Sequence, residues 1–337
     1  MRNVQLIMEL GNRIVAGGQI TMEDAQSLAD INEEDLPFLL AMADAIRQKY
    51  VGKDVDLCSI VNGRSGMCSE DCAFCAQSAH HHTQVNVYPL MTEEELLSAA
   101  KQAEDGGALR FAIVTSGRGM GDEGEFTKIL RALKRIKQET KLHVCCSLGL
   151  LSFENAKALK AAGVSRYHHN IETSESHYSS ICNTHTYKDR VQTIKVVKEA
   201  GLEVCSGGIL GMGESMSQRL EMAFALKAMN VDSVPLNILH RMKGTPLENL
   251  QPITPLEVLK SFALFRFILP DRGLRTAGGR EENLRDLQAL SLRSGINGMM
   301  IGGYLTTHGR DYSTDLRMIY DLELSPLSAK QAVHAVL

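Results

Sequence analysis

Short apolar and β-branched runs recur along the chain, separated by stretches with helical spacing. The runs are "VDLCSIV" (55–61), "LRFAIVT" (109–115), "LHVCCSL" (142–148), "RYHHNIE" (166–172), "LEVCSGGIL" (202–210), "SVPLNIL" (233–239), "GLRTAGG" (273–279) and "INGMMIGG" (296–303). Runs of this length and composition predict strands. Between them lie helix patterns. "MTEEELLSAAKQAEDGG" opens with a capping box, Thr92 and Glu95, and closes on Gly106 and Gly107. Residues 188–201 and 254–270 also have helical spacing. Eight strand candidates alternating with helices predict an α/β fold, a (βα)8 TIM barrel. Residues 1–50 read as an N-terminal helical extension, 51–323 as the barrel and 324–337 as a tail. No linker or second composition regime interrupts the barrel, so one domain is expected.

The strands are not purely apolar. A parallel strand buried on both faces should read as nearly continuous Val, Ile and Leu. Isolated polar residues inside these runs therefore point to a site within the barrel. Composition narrows the class further. The net charge of -4 offers no basic footprint for nucleic acid. No apolar run approaches the ~18 residues of a membrane span. The N-terminus lacks the basic start, apolar core and small-residue site of a signal peptide, so a cytoplasmic location is expected. In that reducing setting, eight cysteines suggest metal or redox chemistry rather than a disulfide framework.

The cysteines are unevenly spread. "DLCSIVNGRSGMCSEDCAFCAQ" (56–77) holds Cys58, then Cys68, Cys72 and Cys75 spaced C-x3-C-x2-C. A structural zinc site takes four protein ligands, and the next cysteines, Cys145 and Cys146, lie far downstream. Three thiolates on a loop after the first strand suit a [4Fe–4S] cluster with one iron left open. That loop lies where barrel active sites form.

The motif, with Phe74 before its last cysteine, resembles the signature of radical S-adenosylmethionine (SAM) enzymes. Further segments resemble the biotin synthase family: "GMCSEDCAFCAQS", "YHHNIETS", "THTYKDRVQTI", "VCSGGILGMGE", "VPLNIL", "KGTPL", "LRTAGGRE" and "YLTTHGRD". The resemblance implies that SAM occupies the open iron and is cleaved to an adenosyl radical. That radical takes hydrogen from dethiobiotin, and an auxiliary iron–sulfur cluster provides the sulfur. It implies SAM contacts from Phe74, Asn170, Glu172, Arg190 and Ile209. Substrate contacts are implied for Arg110, Asn170, Asn237, Thr306 and Thr307. A homodimer and an electron donor, a flavodoxin or ferredoxin with its reductase, follow from the same resemblance. Glu172 stands where the better-known pattern has Asp.

The auxiliary site departs from the family. Its familiar ligands are three cysteines and an arginine. Cys145, Cys205 and Arg275 are present, but the second-strand position is Ala112. Cys58, in the first strand, is the expected replacement. One layer of such a barrel takes side chains from alternate strands, and Cys58, Cys145, Cys205 and Arg275 fall on predicted strands one, three, five and seven. Four ligands spread round a ring favour a four-iron cluster. A [2Fe–2S] rhomb, as in better-known relatives, needs two close pairs. Two other readings compete: a related radical SAM barrel acting on another small molecule, such as a cofactor maturase or mutase, and a non-catalytic zinc-binding barrel. Cys146 and Cys182 read as buried thiols, His80–His82 as an exposed loop, and His169 as facing the helices.

Overall fold

The computed structural model describes residues 2–307 and 309–327. The parallel strands are β1 (Asp54–Arg64), β2 (Arg110–Thr115), β3 (His143–Ser147), β4 (Arg166–His168), β5 (Glu203–Cys205), β6 (Gly208–Leu210), β7 (Ser233–Ile238), β8 (Gly273–Thr276) and β9 (Gly298–Met300). They pair in chain order, and β1 pairs with β9 to close the ring. β5 and β6 share one place in that ring, since both pair with β7. The result is an eight-position (βα)8 barrel, as the hydrophobic pattern predicts.

The predicted strand 202–210 is thus interrupted at Ser206 and Gly207. A Cβ on Gly207 would lie 1.9 Å from the Pro235 carbonyl oxygen. That approach excludes any side chain and lets the chain turn without leaving the ring. The predicted run 166–172 is regular only to His168; beyond it, Glu172 takes a positive φ of 67°.

Alternation along the strands sorts residues between two environments. Val55, Leu57, Phe111, Ile113, Val144, Cys146, Tyr167, Val204 and Leu274 join the hydrophobic layer between strands and helices. Their neighbours Cys58, Ala112, Cys145, Arg166, His168, Cys205 and Arg275 line a cavity inside the ring. Cys146 is fully buried in the outer layer, as its parity predicts.

The helix predicted after Thr92 spans Glu93–Asp105, and its capping box forms between Thr92 and Glu95. The other two predicted helices are Tyr187–Glu199 and Pro255–Ile268. The N-terminal extension folds as helices Arg2–Val15, Met22–Ala29 and Leu36–Val51, packed on helices Pro255–Ile268 and Met216–Ala228. Within the predicted tail, Ser325 and Pro326 pair with Asp54 and Val55 of β1; residues 328–337 lie outside the described residues.

Candidate active site

The cavity, about 400 Å³, opens at the C-terminal ends of the strands and carries two groups of cysteines. Cys68, Cys72 and Cys75 lie on the loop between β1 and the helix Glu93–Asp105. That loop is fixed by its own backbone: Cys68 N donates to Gln77 O (3.0 Å), Ala79 N to Cys68 O (2.8 Å) and Cys75 N to Cys72 O (2.9 Å). A second segment clamps it from outside. Ala73 N donates to Ile181 O (2.8 Å), and the Asp71 carboxylate accepts from the backbone of Asn183 (3.0 Å) and Thr184 (3.1 Å). His80 and His81 hold the loop carbonyls of Ser69 and Cys72, each at 3.0 Å. These histidines brace the loop and do not line the cavity.

A single ion would draw the three motif sulfurs close together. They do not form a set within 4.8 Å of one another. Sulfurs held apart suit a cluster with a separate iron for each.

Beside the loop stand the expected SAM residues. Phe74, Asn170, Glu172, Arg190 and Ile209 all line the cavity. Asn170 and Glu172 turn to the same side, and Asn170 Nδ2 donates to Glu172 Oε2 (3.2 Å). Arg190 lies 3.2 Å from Glu172 Oε1, donates to the Tyr178 hydroxyl (2.8 Å) and to the Asn170 carbonyl (2.9 Å). Gly208 meets the Glu172 carbonyl, which a Cβ there would approach to 2.3 Å. The glycines before Ile209 therefore serve close backbone packing.

The expected substrate residues divide. Asn237, Thr306 and Thr307 line the cavity. The Asn237 carboxamide is set by Gly278 N, which donates to Oδ1 (3.0 Å), and by its own Nδ2 donating to Gly208 O (3.2 Å). One N–H stays free. Arg110 is not a lining residue. It points to the floor, where its Nε donates to Asp56 Oδ2 (2.9 Å).

That floor holds the second cysteine group. Cys58, Cys145, Cys205 and Arg275 come from alternate ring positions, and all line the same cavity. Ala112 pairs in register with Cys145 and puts a methyl into the same wall. Beneath them the Asp56 carboxylate meets Arg110 and Arg275 (3.0 Å), with Arg166 at 3.8 Å. Burial alone would raise its pKa, but the three guanidinium groups outweigh burial and hold it well below the usual range.

Arg166 also pairs with Glu203 (2.7 Å), so three guanidinium charges against two carboxylates leave the floor with one positive charge in excess. Arg275 Nε and Arg166 Nη1 are buried without a hydrogen-bond partner. Buried donors left unpaired cost free energy, so these two fit an anionic sulfur-rich group above them. Burial pushes the Cys58 thiol up and Cys145 up to about 12. Burial acts the same way on Cys205, but the adjacent His168 imidazole, with Arg275 and Arg166, brings it down to about 6.

Three placements escaped the sequence. His168 shares the inward parity of Asn170, a signal that could have found it, and it pairs in register with Cys205 on the neighbouring strand. His169, expected to face the helices, packs beside Tyr167 (ring centroids 6.5 Å) yet also borders the cavity, because the strand ends before it. Cys182 is buried as expected, but its surroundings are not purely apolar. Its sulfur lies 3.8 Å from that of Cys72. The connection spans 110 residues, which no local spacing announces.

Residues 64–226 match the Radical SAM superfamily, and residues 235–325 match the Biotin and Thiamin Synthesis associated domain. Biotin synthase of Carboxydothermus hydrogenoformans is 54% identical over 94% of this chain and 98% of its own. That of Clostridium acetobutylicum is 50% identical over 94% and 97%. Among solved structures, methylornithine synthase superposes with a TM-score of 0.85 at 20% identity, covering 97% of this chain and 99% of its own. The FeFe-hydrogenase maturase HydG from Carboxydothermus hydrogenoformans gives 0.81 at 17%, covering 96% and 80%. These two likenesses establish the fold.

Proposed function

Because the chain belongs to the biotin synthase family, it is a radical SAM sulfurtransferase, and we propose that its floor residues Cys58, Cys145, Cys205 and Arg275 hold the auxiliary cluster that provides sulfur to dethiobiotin. The observation that carries this is the floor itself. One sulfur or guanidinium group comes from each alternate ring position, over buried unpaired donors, with alanine at the familiar fourth position. A ring of four separate points favours a four-iron cluster over a [2Fe–2S] rhomb.

Cys68, Cys72 and Cys75 would hold the [4Fe–4S] cluster that, when bound, supplies one electron for cleavage of SAM. The chain's own residues do the rest. Arg190 presents a planar fork suited to the SAM carboxylate, exchanging its Glu172 contact for it. Asn170 and Glu172 are placed for ribose hydroxyls, and Ile209 for the adenine face. The free N–H of Asn237 serves the ureido carbonyl of dethiobiotin. Thr306 and Thr307 stand at the rim for its carboxylate tail. Arg110 acts on the floor through Asp56. The enclosing ring keeps water from a carbon radical formed inside it.

The reading includes a flavodoxin or ferredoxin electron donor and a homodimer. Among the described residues, no helix is long and apolar enough to cross a membrane, in keeping with a cytoplasmic enzyme. The match to biotin synthases over 94% of the chain displaces the maturase, mutase and zinc-barrel readings. Anaerobic incubation of the reconstituted protein with SAM, dethiobiotin and reductant tests the reading. Biotin and 5′-deoxyadenosine should form together. A fully reconstituted sample that cleaves SAM without making biotin would contradict it.

A further inference from the structure

At the edge of the cysteine loop a second set of metal-binding atoms converges, sharing Cys72 with the loop. Cys72 Sγ lies 3.8 Å from Cys182 Sγ, and Cys182 Sγ lies 3.3 Å from His185 Nδ1. The three ligand atoms fall within 4.8 Å of one another, and all three residues are buried. Among the described residues no other three cysteine, histidine or acidic side chains converge in this way.

The spacing has a geometric meaning. A tetrahedral zinc ion binds sulfur at ~2.3 Å and imidazole nitrogen at ~2.0–2.1 Å, which places two such sulfurs about 3.8 Å apart and sulfur and nitrogen about 3.6 Å apart. The observed 3.8 Å and 3.3 Å approach those values. The set is also built in advance. The Asp71 carboxylate holds the backbone of Asn183 and Thr184, so the segment carrying Cys182 and His185 is pinned to the segment carrying Cys72. Glu70 Oε2 meets His185 Nδ1 (2.6 Å) and Thr184 Oγ1 (2.9 Å). It can keep the threonine bond when the ring nitrogen turns to a metal.

We propose that the cluster-free chain binds one thiophilic divalent cation, of the zinc or ferrous class, through Cys72, Cys182 and His185. The fourth position is left to solvent. Binding releases the two thiol protons, so two thiolates balance the 2+ ion. Cys72 is also a ligand of the loop's iron–sulfur cluster. The single ion and the cluster therefore compete for one sulfur, and a bound zinc ion blocks cluster assembly until it leaves.

Cobalt(II) is the probe. It is added anaerobically to the reduced, cluster-free, full-length chain carrying Cys58→Ser, Cys145→Ser and Cys205→Ser, which removes the floor thiols. One equivalent should bind with the visible bands of tetrahedral cobalt, and zinc should displace it. Further Cys68→Ser and Cys75→Ser changes should leave stoichiometry and bands unchanged. Cys182→Ser or His185→Gln should weaken binding by about tenfold or more. X-ray absorption of the zinc-loaded parent, which needs no variant at this site, should count two sulfurs and one imidazole. The proposal is overturned if no cobalt binds. It is overturned equally if three sulfurs and no imidazole surround the zinc, or if Cys68→Ser abolishes binding while Cys182→Ser and His185→Gln do not.

Discussion

The cavity has two cysteine-bearing regions built by opposite means. The upper one is local: Cys68, Cys72 and Cys75 lie on one loop whose own backbone hydrogen bonds set their spacing. The lower one is distributed: Cys58, Cys145, Cys205 and Arg275 each come from a different strand, and the closed ring alone brings them together. A local site depends on its spacing, because a ligand lost from the loop has no neighbouring position that reaches the same point. A distributed site lies on a ring where several positions face one volume, so a ligand can move from one strand to another. Cys58 and Ala112 both face the same cavity, and the proposed ligand set makes them such an exchange.

The largest expected effect lies in the upper region. Cys72→Ala should abolish both 5′-deoxyadenosine and biotin formation and remove about four irons per chain, read by iron and sulfide analysis. If SAM cleavage persists, the loop is not the cluster site.

In the lower region, Asp56→Asn should destabilise the fold by about 3–5 kcal/mol in denaturant unfolding, because buried Arg110 and Arg275 lose their paired carboxylate while Arg166 keeps Glu203. The pH dependence has a definite sign. The folded pKa of Asp56 is depressed, so its contribution is complete above its unfolded value near pH ~4 and fades as pH falls further toward the folded one. The Asn variant should show a flatter acid limb of stability. An unchanged limb would mean that the arginines do not act on Asp56.

Arg190→Lys should weaken SAM binding by about tenfold or more, ~1.4 kcal/mol, since an ammonium group cannot reproduce the planar fork. Equilibrium binding to the cluster-loaded protein measures it, and an unaltered dissociation constant would move the carboxylate contact elsewhere. The smallest effect separates two neighbours. Cys146→Ala should cost about 1 kcal/mol of stability and no iron. Cys145→Ala should lose the auxiliary iron.

Much of this was legible in the sequence because it rests on short-range regularity. Apolar runs marked all eight ring positions, and alternation separated Cys145 from Cys146; it also set His169 apart from Asn170, where the structure brings both to the cavity because the strand ends at His168. The rest depends on contacts between distant segments. The break at Gly207 comes from the Pro235 carbonyl across the ring. Arg110 turns to Asp56 on the neighbouring strand, below the cavity surface. Arg190 is held by Glu172 and Tyr178 rather than standing free. Cys182 meets Cys72 because Asp71 fixes one loop on another. None of these is written in spacing, and each needs the closed fold to appear.

The exchange of a floor ligand is the central claim, and Mössbauer spectra with iron counting on reconstituted Cys58→Ala test it most directly. The auxiliary-cluster signal should disappear while the loop cluster and SAM cleavage persist and biotin formation ceases. An unchanged auxiliary signal in that variant would contradict the assignment of Cys58.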